Sequence, residues 1–118
     1  MDNRKRILIC DDEEGIRESL KLILEDSFEL DFASSGNEAV RKIQDGKFDG
    51  MILDIKMPAK DGLETLEEVR KVSPDTRVII ATGYQSVETA SKAVKLGAID
   101  YITKPFESEE VLKKAEKF

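Results

Sequence analysis

The sequence predicts an α/β fold: a parallel sheet, doubly wound, with helices on both faces. Three observations predict it. Five short apolar runs alternate along the chain with five segments of helical periodicity, the order expected when each strand crosses over to the next through a helix. The central run, Met51-Ile52-Leu53, does not alternate with polar residues, as befits a strand buried on both faces. Polar or charged residues also follow several of the runs directly, at the edge where open α/β sheets gather their ligands. A length of 118 residues fits one domain with one core.

The elements follow in order. Ile7 to Cys10 is the first strand, stopped by Asp11-Asp12-Glu13-Glu14. A helix comes next, with Ile16, Leu20, Ile23 and Leu24 spaced to share a face. In Phe28 to Ala33, the residues Phe28, Leu30 and Phe32 alternate with charge, as expected of an edge strand with one wetter face. Ser35-Gly36-Asn37-Glu38 matches a capping box; Ala39, Val40 and Ile43 then mark the second helix, closed at Gly46. After Met51 to Asp54, an Asp61 cap starts a third helix with Leu63, Leu66 and Val69 inward, and Ser73-Pro74 stops it.

Val78 to Ala81 is the fourth strand and runs into Thr82-Gly83. The fourth helix is expected from Ser86 to Leu96, with Gly97 as its C-terminal cap. The fifth strand, Ile99 to Thr103, carries the charge of Asp100 and ends at Lys104-Pro105. A final helix begins near Ser108, acidic early and lysine-rich late, both matched to the helix dipole. Its inner face is expected to be Val111, Leu112, Ala115 and Phe118. That periodicity is still running at Phe118, so residues 1–118 are expected to be a module excised from a longer polypeptide.

Composition removes several classes of function. With 40% hydrophobic and 37% charged residues the surface is heavily charged, no apolar run approaches a membrane span and the N-terminus has no signal core. A cytoplasmic location is the expectation. The net charge of −6 argues against tracking a nucleic-acid backbone, which is held by Lys and Arg. Cys10, the single cysteine, has no internal disulfide partner and reads as a small buried hydrophobe. No histidine is present, which excludes His metal sites and Ser/His or Cys/His catalysis. Carboxylates, hydroxyls and lysines remain.

Parallel strands joined by right-handed crossovers put all their carboxyl ends on one edge. Asp11 and Asp12 follow strand one, Asp54 ends strand three, Thr82 follows strand four and Lys104 follows strand five. Each has an ordinary reading alone: a helix cap for the acidic pair, a turn residue for Asp54, a strand end for Thr82, a solvated lysine for Lys104. Their convergence reads differently. Clustered carboxylates repel unless a cation neutralises them, and oxygen ligands without His or thiolate select a hard cation such as Mg²⁺. A carboxylate left partly free beside the metal can act as a nucleophile toward phosphorus. Lys104 and the Thr82 hydroxyl would then face the phosphoryl oxygens.

In order and spacing, Asp11-Asp12, Asp54-x-x-Met57-Pro58-x-x-x-Gly62, Thr82-Gly83 and Tyr101-x-x-Lys104-Pro105-Phe106 resemble the response-regulator receiver domain of bacterial two-component signalling, the CheY-like family. The resemblance covers essentially the whole chain. It implies a five-stranded sheet of order 2-1-3-4-5 in a flavodoxin-like, CheY-like three-layer sandwich. It implies that Asp54 is a phosphoacceptor supplied by a phosphohistidine on a sensor histidine kinase, and that Asp12, Asp54 and the backbone carbonyl of Lys56 bind Mg²⁺ (Mn²⁺ as a substitute), with Asp11 acting mainly through water. Lys104 would contact the phosphoryl group, and its bond to Pro105 would be cis.

Thr82 and Tyr101 would form the switch: Thr82 moves toward the phosphoryl group, the Tyr101 ring turns inward, and the face made by helix four, strand five and helix five changes shape. That face would control an output domain or target protein, a phosphorylation-dependent homodimer being a further partner the family allows. Direct nucleic-acid or membrane binding by this domain is not expected. Lys56 and Tyr84 hold positions that modulate phosphoryl lifetime, and a long-lived state is the expectation. Such a domain is not a conventional enzyme, only self-phosphorylating and slowly self-dephosphorylating.

Two other readings stay open on the residues. A Mg²⁺-dependent phosphohydrolase similar to the haloacid dehalogenases would pass through an aspartyl phosphate, but those enzymes place a second Asp two residues after the nucleophile on strand one, and here Asp11 and Asp12 are adjacent with no lid segment nearby. The other is a receiver-like interaction module that is never phosphorylated, a reading that failure to bind Mg²⁺ would favour.

Overall fold

Every strand of the sheet pairs in parallel, and the chain visits the two sides of the sheet through helices. The computed structural model describes residues 4–56, 61–83 and 87–118. In chain order the elements are β1 Arg6–Cys10, α1 Glu14–Leu24, β2 Glu29–Ala33, α2 Gly36–Asp45, β3 Gly50–Asp54, α3 Gly62–Val72, β4 Arg77–Thr82, α4 Val87–Lys95, β5 Asp100–Thr103 and α5 Ser108–Ala115. The sheet order is β2-β1-β3-β4-β5, the flavodoxin-like arrangement expected.

The two-residue period of the strands divides the core in two. Leu8, Met51, Leu53, Val78 and Ile80 face Ala39, Val40 and Ile43 of α2, Leu66 and Val69 of α3 and Ala93 of α4. Ile7, Ile9, Ile52, Ile79, Ala81 and Ile102 face Leu20 and Leu24 of α1 and Val111 and Ala115 of α5. β1, β3 and β4 are buried on both faces for that reason, which is why their sequences do not alternate. Phe118 is buried on the second side, edge-on to Phe28 with centroids 6.4 Å apart.

Local chemistry sets most of the boundaries. Ser35 Oγ accepts the Glu38 N–H at 3.1 Å, but Glu38 Oε1 reaches back to the N–H of Ser34 at 2.6 Å, one residue before the partner a strict capping box would use. Asp61 caps α3 by accepting the Glu64 N–H at 2.9 Å. Gly97, φ +108°, ends the segment after α4, where only glycine adopts such a backbone freely. The expected first residue of that helix, Ser86, lies outside the described residues.

Three expectations are corrected, and the ordinary cap reading of the acidic pair falls away. The acidic pair does not cap α1: its N-cap is Glu13, which makes no side-chain cap bond. Leu112 is not on the inner face of α5 but 40% exposed, because Val111 and Ala115, four apart, take the buried stripe and Leu112 is rotated about 100° from Val111. The helix itself stops short of Phe118, although Phe118 is buried with Val111 and Ala115 as expected. α5 ends at Ala115, and the last N–H groups bond three residues back, as in Phe118 to Ala115 at 3.1 Å. Ile99 stands just outside β5 and is exposed. Among the described residues no helix is long and apolar enough to cross a membrane.

Candidate functional site

β1 and β3 are neighbours, and Cys10 pairs with Leu53, so the residues that follow each of them come side by side. Asp11 and Asp54 are both buried, 1% and 4% exposed, while Asp12 is exposed. Carboxylate oxygens of the three acids lie within 4.8 Å of one another. Lys104 arrives from the far side of β4, its Nζ 3.0 Å from Asp11 Oδ2 and 3.1 Å from Asp54 Oδ1. Its backbone N–H is fixed to the Thr82 carbonyl at 2.7 Å, and the Lys104–Pro105 peptide bond is cis.

Backbone contacts fix the acids. Asp11 donates its N–H to the Ala33 carbonyl at 3.1 Å, and its Oδ1 accepts the Glu13 N–H at 2.9 Å. Asp54 Oδ1 also accepts the Lys56 N–H at 3.3 Å, while the Lys56 side chain is exposed. The Gly62 N–H donates to the Ile55 carbonyl at 2.8 Å. A Cβ on Gly62 would sit 2.4 Å from the Asp54 carbonyl oxygen, so glycine lets α3 begin against the acid-bearing strand.

Arg17, from the first turns of α1, donates to the Asp11 carbonyl at 2.7 Å. The sequence reading missed it. An arginine six residues beyond an acid carries no local signal, since its reach depends on how α1 leaves the sheet.

Charge at the site is unbalanced, with three carboxylates against one ammonium. Burial, then the charge of Asp11, raises the Asp54 carboxyl to about 6 in spite of Lys104 and the Lys56 N–H. Burial pulls Lys104 toward its neutral form, but its hydrogen bond to Asp11 and the charges of both acids outweigh that and raise it above the ordinary lysine value. A divalent cation would remove this frustration. The donor set fits one, because the oxygens are hard, close together and free of competing imidazole or thiolate. Cys10, next to the cluster, is buried, and desolvation followed by the charge of Asp11 pushes its thiol up to about 12, which keeps it protonated and inert.

Thr82 ends β4, the strand between β3 and β5, and is buried; its Oγ1 donates to the Gly83 carbonyl at 3.3 Å. Tyr101 lies apart from the cluster on β5 and is 39% exposed. Ile80 pairs with Tyr101 and Thr82 with Thr103, so by alternation Thr82 and Tyr101 are diagonal neighbours on one sheet face. Tyr84 lies outside the described residues, as do Met57 and Pro58.

Residues 7–116 match the family model described as the response regulator receiver domain. The chain is 40% identical over 107 residues to the regulatory protein AtoC of Escherichia coli, covering 90% of this chain and 23% of AtoC. It is 39% identical to the chemotaxis protein CheY of Halobacterium salinarum, covering 92% of this chain and 91% of that protein. The crystal structure of a CheY-like receiver domain from Methanospirillum hungatei superposes with a TM-score of 0.91 at 37% identity, covering 98% and 93% of the two chains.

Proposed function

The chain belongs to the response regulator receiver domain family, and on that premise we propose that it is a phosphorylation switch of a two-component relay with Asp54 as the phosphoacceptor. The observation that carries this reading is the Lys104 ammonium bridging Asp11 and Asp54 at 3.0 and 3.1 Å beside a third carboxylate. Such an arrangement suits phosphoryl transfer, where catalysis consists of positioning and charge compensation.

Asp11, Asp12, Asp54 and the Lys56 carbonyl would hold Mg²⁺ or Mn²⁺. When bound, that ion supplies charge neutralisation for the phosphoryl oxygens. An Asp54 carboxylate oxygen forms the new O–P bond as the N–P bond to a sensor-kinase phosphohistidine breaks, and the departing imidazole takes up a proton from solvent. Lys104, already in contact with Asp54 Oδ1, is placed to follow the charge onto the phosphoryl group. The Thr82 hydroxyl exchanges its present acceptor, the Gly83 carbonyl, for a phosphoryl oxygen.

That movement opens space for the Tyr101 ring on the same sheet face and reshapes the surface of α4, β5 and α5. An output domain or a separate target, or a second copy of the chain, reads that surface. The chain spans 23% of AtoC and 91% of CheY, so a linked output domain and a separate target both suit this reading. The switch would operate in the cytoplasm, without nucleic acid or membrane bound by the domain itself, and residues 1–118 would serve as the receiver module of a regulator. Lys56 and Tyr84 would restrict the attacking water and prolong the phosphoryl state.

Incubation with a small phosphodonor and Mg²⁺, followed by intact mass, tests the reading. One added phosphoryl group on the chain and none on Asp54→Asn is expected. Continued turnover of phosphate esters would point instead to a phosphohydrolase, and no mass change to a module that is never phosphorylated.

A further inference from the structure

The two outer strands of the sheet carry the same three-part clamp. Every second residue of an edge strand turns its N–H and C=O away from the sheet, where they invite another strand. On β2 that residue is Phe32. Its N–H donates to Asp31 Oδ1 at 2.8 Å, its carbonyl accepts from Lys42 Nζ at 2.5 Å, and Lys42 closes onto Asp31 at 3.1 Å. On β5 it is Tyr101. Its N–H donates to Asp100 Oδ1 at 2.8 Å, its carbonyl accepts from Lys114 Nζ at 2.5 Å, and Lys114 closes onto Asp100 at 3.6 Å. An aspartate before the aromatic and a lysine from the neighbouring helix thus satisfy one outward-facing residue on each edge strand.

The clamps differ in what they do with the ring. Phe32 packs into the core on the α1 side. Tyr101 stays at the surface, and Lys114 Nζ lies 4.7 Å from the centre of its ring. One lysine therefore holds both the backbone and the aromatic face of the residue that shares a sheet face with Thr82. Asp100 and Glu110, 3.6 and 3.7 Å from Lys114 Nζ, keep the ammonium seated there.

We propose that Lys114 is a positioning residue for the switch, a latch that holds the Tyr101 ring outward in the unphosphorylated chain. The proposal rests on the reading above in taking the ring to have an inward position beside Thr82. A cation over an exposed aromatic face biases such an equilibrium about two- to fivefold. Phosphorylation then has to overcome a set bias, and Lys114 determines how much of the switch is thrown at a given phosphoryl occupancy.

The chain has two tyrosines and no tryptophan, so a Tyr84→Phe background leaves Tyr101 as the only strongly fluorescent side chain. Acrylamide quenching of its emission, with no phosphodonor present, reads the exposure of the ring. In Lys114→Met the outward-to-inward ratio is expected to fall about two- to fivefold and quenching to weaken, while Lys114→Arg restores it. Lys42→Met, which breaks the matching clamp on β2, is expected to leave quenching unchanged.

Unchanged or stronger quenching in Lys114→Met would overturn the proposal, the stronger case marking the lysine as a mere cover. Equal weakening in Lys42→Met would overturn it too, by tracing the effect to a loosened sheet edge. If circular dichroism shows Lys114→Met misfolded, Lys114→Gln is read in its place. No phosphoryl group is involved, so a flat result leaves the Asp54 chemistry standing, and an unphosphorylated Asp54 leaves the latch standing.

Discussion

Lys104 Nζ and Asp54 Oδ1 are 3.1 Å apart although β4 lies between the strands that carry them. The same ammonium touches Asp11, so it is the cation on which the cluster rests when no metal is bound. Lys104→Met is therefore expected to act in opposite directions on two measurements. Mg²⁺ binding, followed by calorimetry, tightens by about tenfold, because a positive charge near the ion is gone. Phosphorylation from a small donor, followed by intact mass over time, slows by about a hundredfold, because charge compensation at the phosphoryl oxygens is lost. A parallel loss of both would mean that the lysine only props up the fold.

The raised carboxyl of Asp54 makes stability depend on pH in a definite direction. An unfolded Asp titrates near 4, whereas the folded group titrates at about 6. Between those values the folded state keeps a proton that the unfolded chain has released, so stability falls as pH rises through the window, by on the order of 1–3 kcal/mol. Asp54→Asn lacks that loss. Melts in EDTA at pH 4 and pH 7 are expected to show the variant gaining on the parent at the higher pH, and Mg²⁺ to restore the parent far more than the variant.

Arg17 donates to the Asp11 carbonyl at 2.7 Å and fixes the turn that carries two of the three acids. Arg17→Ala is expected to cost about 1–2 kcal/mol in a denaturant melt and to weaken Mg²⁺ binding severalfold. Unchanged metal affinity in a destabilised variant would reduce the arginine to ordinary packing.

Two glycines make a matched pair. An added methyl on Gly62 would meet the Asp54 carbonyl oxygen at 2.4 Å, whereas one on Gly15 would meet nothing within 4 Å. Gly62→Ala is expected to destabilise by about 1–3 kcal/mol and to slow phosphorylation by displacing the acid. Gly15→Ala, near the start of α1, is expected to be neutral or stabilising by up to about 1 kcal/mol. Thermal melts of both variants decide it.

Much of this was legible before any coordinates. Burial on both faces shows as unbroken apolar runs in β1, β3 and β4, helix starts show as Ser35 and Asp61, and the end of the α4 segment shows as Gly97. These are local signals, since capping and periodicity involve residues within a few positions of each other. Leu112 was misjudged because an apolar residue at helical spacing can border the buried stripe as easily as lie in it. The acidic pair could be read as a helix cap or as part of a strand-end cluster, and the neighbouring strand decides between them, because Asp54 at the end of β3 comes beside Asp11 and Asp12.

By itself, then, the sequence determined the alternation of strands and helices, the residues able to fill the core, and the set of acids, hydroxyl and lysine that follow the strands. The tertiary structure alone decided that Lys104 bridges acids 93 and 50 residues away, that Arg17 holds the Asp11 turn, and that Lys114 lies over Tyr101. Such contacts depend on strand order and helix placement, which arise from packing the whole chain at once, so no window of neighbouring residues contains them.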